Sequence, residues 1–198
     1  MSAPGETRTR ETRQDRARRE AQSEIRVIGD PVLRERAREV AVFDRGLRKL
    51  AKRMIRIMHD APGVGLAAPQ VGVVERLVVY DVDDDPRTLV NPVLTMLTDE
   101  RETGDEGCLS VPGVTMPVER VTRIRVEGRD AHGAPVDFEA EGLEARVIQH
   151  EVDHLDGVLI VDRTTREARA AALRALRDGT SSATGAGLTG GLSAAFDP

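Results

Sequence analysis

Cysteine occurs once in the 198 residues of this chain, histidine four times, and tryptophan not at all. A single thiol rules out an internal disulfide and fits a reducing compartment, where a thiolate survives as a metal ligand. No stretch of about 20 apolar residues is present, so no membrane-spanning helix is expected, and no signal-peptide core follows the start. A large excess of one charge is also missing. The net charge is −5 with both signs interspersed, which gives no nucleic-acid footprint. What remains is a soluble, cytoplasmic chain without membrane attachment, long enough for one domain with a real core.

Against that sparse background one pentad stands out: His150-Glu151-Val152-Asp153-His154. On a helix its histidines fall at i and i+4, roughly 5–6 Å apart on one face. Both imidazoles then reach one metal ion, while Glu151 lies close enough to handle a proton. Histidines at such a spacing can also be merely solvated or packed in a core. The flanks favour the metal: Leu143, Val147, Ile148, Val152 and Leu155 form an apolar stripe at helical spacing, and Gly157 supplies a left-handed stop. A catalytic centre takes three protein ligands and a water. Two are on the helix, and the unpaired thiol of Cys108 is available as the third.

The ends differ from the middle. Residues 1–23 are crowded with Arg, Glu, Gln and Thr and read as a disordered, charged arm, the alternative being a helix formed only with a partner. Residues 179–198 read as a flexible tail rich in Gly, Ala, Ser and Thr. Between them, a helix is predicted from its cap at Asp44 to about His59, ended by Pro62 and Gly63. His59 is then a charge partner for that helix end and not a ligand. Strands are predicted over Arg76–Asp81, Val121–Gly128 and Val136–Ala140, the last two joined by a turn that carries His132. An amphipathic helix closes the domain from Arg163 to Arg177. Strands and helices do not alternate regularly, so the class is α+β.

Three segments together carry a resemblance. Gly63-Val64-Gly65-Leu66-Ala67-Ala68-Pro69-Gln70, Glu106-Gly107-Cys108-Leu109-Ser110 and Gln149-His150-Glu151-Val152-Asp153-His154 resemble, in order and spacing, the signature motifs of the peptide deformylases. Arg26 to Arg34 is similar to the family's opening strand and turn, and Leu89-Val90-Asn91-Pro92 to its middle strand. The likeness covers residues 24–178. It implies small, mainly antiparallel sheets packed around the metal-bearing helix. It implies removal of the formyl group from the N-terminal methionine of newly made proteins, with release of formate. Cys108, His150 and His154 then hold one divalent metal, and Glu151 is the general base and acid. The Leu109 backbone N–H and the Gln70 amide stabilise the oxyanion. Gly65 either allows a tight turn or leaves room for the substrate backbone. Val64, Leu143, Val147 and the aliphatic part of Arg146 are the expected walls of the methionine pocket, and Glu106 pairs with Arg120 to support the loop.

A set of two imidazoles and one thiolate suits zinc or ferrous iron. The resemblance implies Fe(2+) as the working metal, with zinc, nickel or cobalt in protein isolated in air. The implied partners are nascent formyl-methionyl polypeptides and, through the Arg-rich last helix, the ribosome. Two positions depart from the family pattern: Glu119 stands before Arg120 where proline is common, and Thr115 where many relatives carry a bulkier side chain. A deformylase-like hydrolase with altered substrate preference is therefore the alternative. A metalloprotease would take a third His or Glu in place of the cysteine, and a non-catalytic relative would have lost Glu151, Gln70 or a ligand.

Overall fold

The computed structural model describes residues 11–180, so the first ten residues and the tail beyond Thr180 lie outside the described residues. The first element is α1, Arg13–Glu24, where composition pointed to a solvated arm. Thr12 caps it reciprocally with Asp15, two bonds of 3.0 Å between each backbone N–H and the other's side chain. A wide apolar stripe is not what seats this helix. The small Ala21 is fully buried and, with Ile25, packs against α2, Arg45–Asp60. Arg53 and Arg56 of α2 close on Glu24 at 2.7 and 3.0 Å. One alanine permits the close approach, and the charged majority of α1 stays in solvent. That pattern is what made it read as disordered.

Asp44 caps α2 by accepting from the Leu47 N–H at 3.0 Å, and Leu47, Ala51, Met54, Ile57 and Met58 bury one face. The expected helix is therefore present. Five antiparallel strands follow in one sheet, in the order β1 (Gly65–Ala67), β2 (Leu77–Tyr80), β3 (Arg87–Met96), β6 (Arg123–Arg129), β7 (Pro135–Glu141). Among the described residues β1 is an edge strand that pairs only with β2. Between β3 and β6 the chain leaves the sheet as a separate hairpin, β4 (Arg101–Cys108) with β5 (Val111–Val121). The strand predicted to begin at Val121 thus begins at Arg123, because Val121 ends β5. There Gln149 donates to its carbonyl at 2.9 Å and accepts from its N–H at 3.3 Å.

Helix α3, Gly142–Leu155, packs on β1, β2, β5, β6 and β7, burying Ala145, Val147, Ile148 and Leu155 among Ala67, Val78, Tyr80 and Val126. It stops at Gly157, whose φ of +73° is left-handed and whose missing Cβ would meet the Arg34 carbonyl at 2.6 Å. The last helix, α4 (Arg166–Asp178), lies on β5 through Ala172. One expected strand is absent: residues 26–28 do not enter a sheet. Their backbone instead bridges two loops, Arg26 N–H to the Gln70 carbonyl and Ile28 N–H to the Ser110 carbonyl, both at 2.7 Å. The result is α+β, with small antiparallel sheets around α3. Among the described residues no helix is long and apolar enough to cross a membrane.

Candidate active site

Helix α3 presents His150, Glu151 and His154 toward the tip of the β4–β5 hairpin, where Cys108 is the last residue of β4. The imidazole rings lie 5.2 Å apart, the distance that helical spacing dictates. Ligand atoms of Cys108, His150 and His154 all fall within 4.8 Å of one another, and the Cys108 Sγ is 3.3 Å from the His154 Nε2. The helix brings two candidate ligands together by its period, and the hairpin turn brings the third.

Behind the ligands lies a buried ionic cluster. His150 Nδ1 meets Glu106 Oε2 at 2.9 Å, so the carboxylate fixes the ring and leaves Nε2 for a metal. Glu106 is wholly buried and receives Arg120 through two bonds of 2.9 Å and Arg146 through one of 3.0 Å. Arg120 also reaches Asp153 at 2.6 Å, and Arg163 covers the outer side of that carboxylate. Burial raises the Glu106 pKa, but His150 and Arg120 outweigh it and hold the carboxyl at about 2. The acceptor for His150 is thus always charged at neutral pH.

Glu151 is only 2% exposed, and burial pushes its pKa up to about 7. A group near neutrality is what reversible proton transfer needs. The room for it comes from Gly65, since a Cβ there would sit 2.4 Å from Glu151 Oε1 and 2.9 Å from its Cγ. Gly65 is absent from the positive-φ glycines, so a tight turn is not its reason. The glycine is a gap for the carboxylate. Gln70 is buried nearby: its Oε1 accepts from the Ala67 N–H at 2.7 Å, and its Nε2 donates to Ser110 Oγ at 3.1 Å, facing Cys108 Sγ at 3.8 Å. Leu109 follows Cys108 in the turn, and its N–H is committed to no hydrogen bond among the described residues.

A cavity of about 600 Å³ opens over this centre, lined by Val64, Gly65, Gln70, Cys108, Leu109, His150 and Glu151. Leu143, Arg146 and Val147 do not line it. Leu143 borders a different depression near Val82 and Glu139, and Val147 is fully buried in the core. Arg146 turns its guanidinium into the hairpin, to Glu106, the Val118 carbonyl at 2.9 Å and the Glu102 carbonyl at 2.8 Å. The apolar walls are instead Val111 and Val114 of β5, with Val27 and Ala61. Helical spacing alone could not find them, because they arrive from other elements. Thr115 lines the cavity, whereas Glu119, on β5, lies outside it and pairs at 3.7 Å with Arg101 across the hairpin.

The donor set fits a divalent metal. One thiol and two buried imidazoles converge, Glu106 sets one ring, and Glu151 Oε2 is buried beside them with no partner of its own. The sequence profile of the polypeptide deformylase family matches residues 22–170. The chain belongs to that family. Among its relatives, the peptide deformylase of Acidothermus cellulolyticus is 53% identical over 154 residues, covering 78% of this chain and 85% of the relative. The crystal structure of peptide deformylase from Thermotoga maritima superposes with a TM-score of 0.70 at 50% identity, covering 71% of this chain and 96% of that one. The enzyme of Synechococcus elongatus, solved in complex with actinonin, gives 0.74 at 43% identity, covering 79% and 85%. The deformylase fold expected from the motifs is the fold observed.

The ionic support of His150 is testable. Glu106→Gln keeps the size of the side chain but removes the charge that orients the ring. Replacing such an outer partner typically weakens metal affinity about 10- to 100-fold. Chelator competition on the folded variant measures it. Unchanged affinity would show that packing alone orients His150.

Proposed function

We propose that this chain removes the formyl group from the N-terminal formyl-methionine of newly synthesised polypeptides, releasing formate, with Cys108, His150 and His154 holding the required metal. The observation that carries the reading is the convergence of these ligands beside a buried, unpartnered Glu151 in a chain of this family. A divalent metal held by the three supplies Lewis acidity for the formyl carbonyl and a nucleophile at neutral pH. Glu151 accepts the proton from the attacking water and returns it to the departing methionine amine. As the carbonyl oxygen gains charge, the Leu109 N–H and the Gln70 amide donate to it. An amide has two N–H bonds, so Gln70 can keep Ser110 with one while the other leaves its long contact to the Cys108 Sγ for the oxyanion. Each such donor is worth about 2.7–4 kcal/mol. The free edge of β1 at Gly65 offers backbone groups to an extended substrate, and Val64, Leu109 and Val111 give the methionine side chain an apolar wall.

The working metal in this proposal is Fe(2+), with zinc, nickel or cobalt as replacements in isolated protein, and the working place is the cytoplasm beside the ribosome. A ferrous centre beside the chain's one thiolate is doubly oxidisable. The iron form is expected to lose activity under peroxide while the nickel form keeps it; equal half-lives would count against iron. The activity itself is tested by comparing formyl-Met-Ala-Ser with an internally cleavable peptide. Formate release from the first without cleavage of the second is expected. The reverse would make the chain a protease.

A further inference from the structure

Helix α1 covers α2 with one face and borders the cavity with the next. Ala21 is buried against α2, while Arg18 and Gln22, four residues apart and therefore stacked on one side, line the cavity with Val27. Arg18 precedes the segment matched by the family profile, which begins at Gln22. The helix is closed at its start by its own Thr12–Asp15 box and tied to α2 at its other end by Glu24 on Arg53 and Arg56.

The charges of the cavity are unequally placed. Among the described residues that line it, Arg18 is the only Arg or Lys and Glu151 the only carboxylate, and Glu151 is buried whereas Arg18 is exposed. Nearby carboxylates are already engaged: Glu11 by Arg16 and Arg19, Asp15 by Thr12, Glu24 by α2. Among the described residues Arg18 forms no ion pair. Arg18 acts on Asp15 of its own helix only through space, and its exposed side chain lines the same cavity as the Gly113–Thr115 stretch of β5.

We propose that Arg18, with Gln22 beside it, contacts the substrate polypeptide downstream of its formyl-methionine and favours an acidic side chain there over a basic one. The proposal rests on the deformylase reading of the site. Gln22 can bond the passing backbone in either direction, since its amide both donates and accepts, while Arg18 reads charge.

The test is a panel of C-terminally amidated peptides, formyl-Met-Ala followed by three residues, in which a single Asp or Lys is walked through the last three positions. Amidation removes the terminal carboxylate as a rival anion. Exposed ion pairs are weak, so at one position the parent should prefer Asp over Lys by about two- to fivefold in kcat/KM. The preference should sit in KM and shrink at high salt. Arg18→Gln should abolish it and Arg18→Glu should invert it. Formate release from every peptide with the same Asp-to-Lys ratio in parent and Arg18→Glu would overturn the proposal and leave the deformylase reading standing. No formate from any peptide would overturn that reading, and this proposal with it.

Discussion

Glu151→Gln is expected to keep its metal and lose at least about a hundredfold in turnover, the lower end of what general acid–base assistance contributes. Glu151 follows His150 in sequence, so on α3 it is turned about 100° from that ligand and is not the natural third donor. Its place is instead the gap left by Gly65, where burial moves its pKa to about 7. Glutamine preserves size and hydrogen bonding but cannot take a proton. Metal content by elemental analysis and peptide binding should match the parent, and formate release should not. A variant that works at close to the parent rate would make Glu151 a structural residue.

Arg120→Met is expected to destabilise the protein by about 3–5 kcal/mol, since removing one partner strands buried charge. Arg120 is 6% exposed and joins Glu106 to Asp153, one carboxylate behind the His150 ligand and one on the same helix. Without it, Arg146 remains on Glu106 and Arg163 on Asp153, but neither reaches both. Equilibrium urea unfolding of parent and variant measures the loss. A shift below about 1 kcal/mol, the range of surface pairs, would mean that the cluster is effectively solvated.

The chemistry at this site was more legible than its walls. Helical period ties His150 to His154 wherever the helix goes, and the chain has one thiol to complete the set, so the trio that the fold brings together as a possible metal site could be named from the sequence. The pocket had no such constraint. Leu143 and Val147 lie on the same helix as the ligands, yet packing turns one to another depression and one into the core, and β5 supplies the wall. Strand β4 was illegible for a different reason. Its segment Arg101–Cys108 is almost wholly polar, and its one fully buried side chain is a glutamate, so no apolar alternation marks it. Helix α1 was missed because a single alanine seats it. The meaning of Gly65 depends on Glu151, far along the chain, and no local rule connects them.

Formate release from formyl-methionyl peptide, measured on anaerobically purified protein together with metal analysis of the same sample, bears most directly on the whole. One metal per chain and steady formate production, both lost on chelation and both restored by added ferrous iron, are expected. Formate production that persists in metal-free protein, or none from the fully loaded protein, would contradict it.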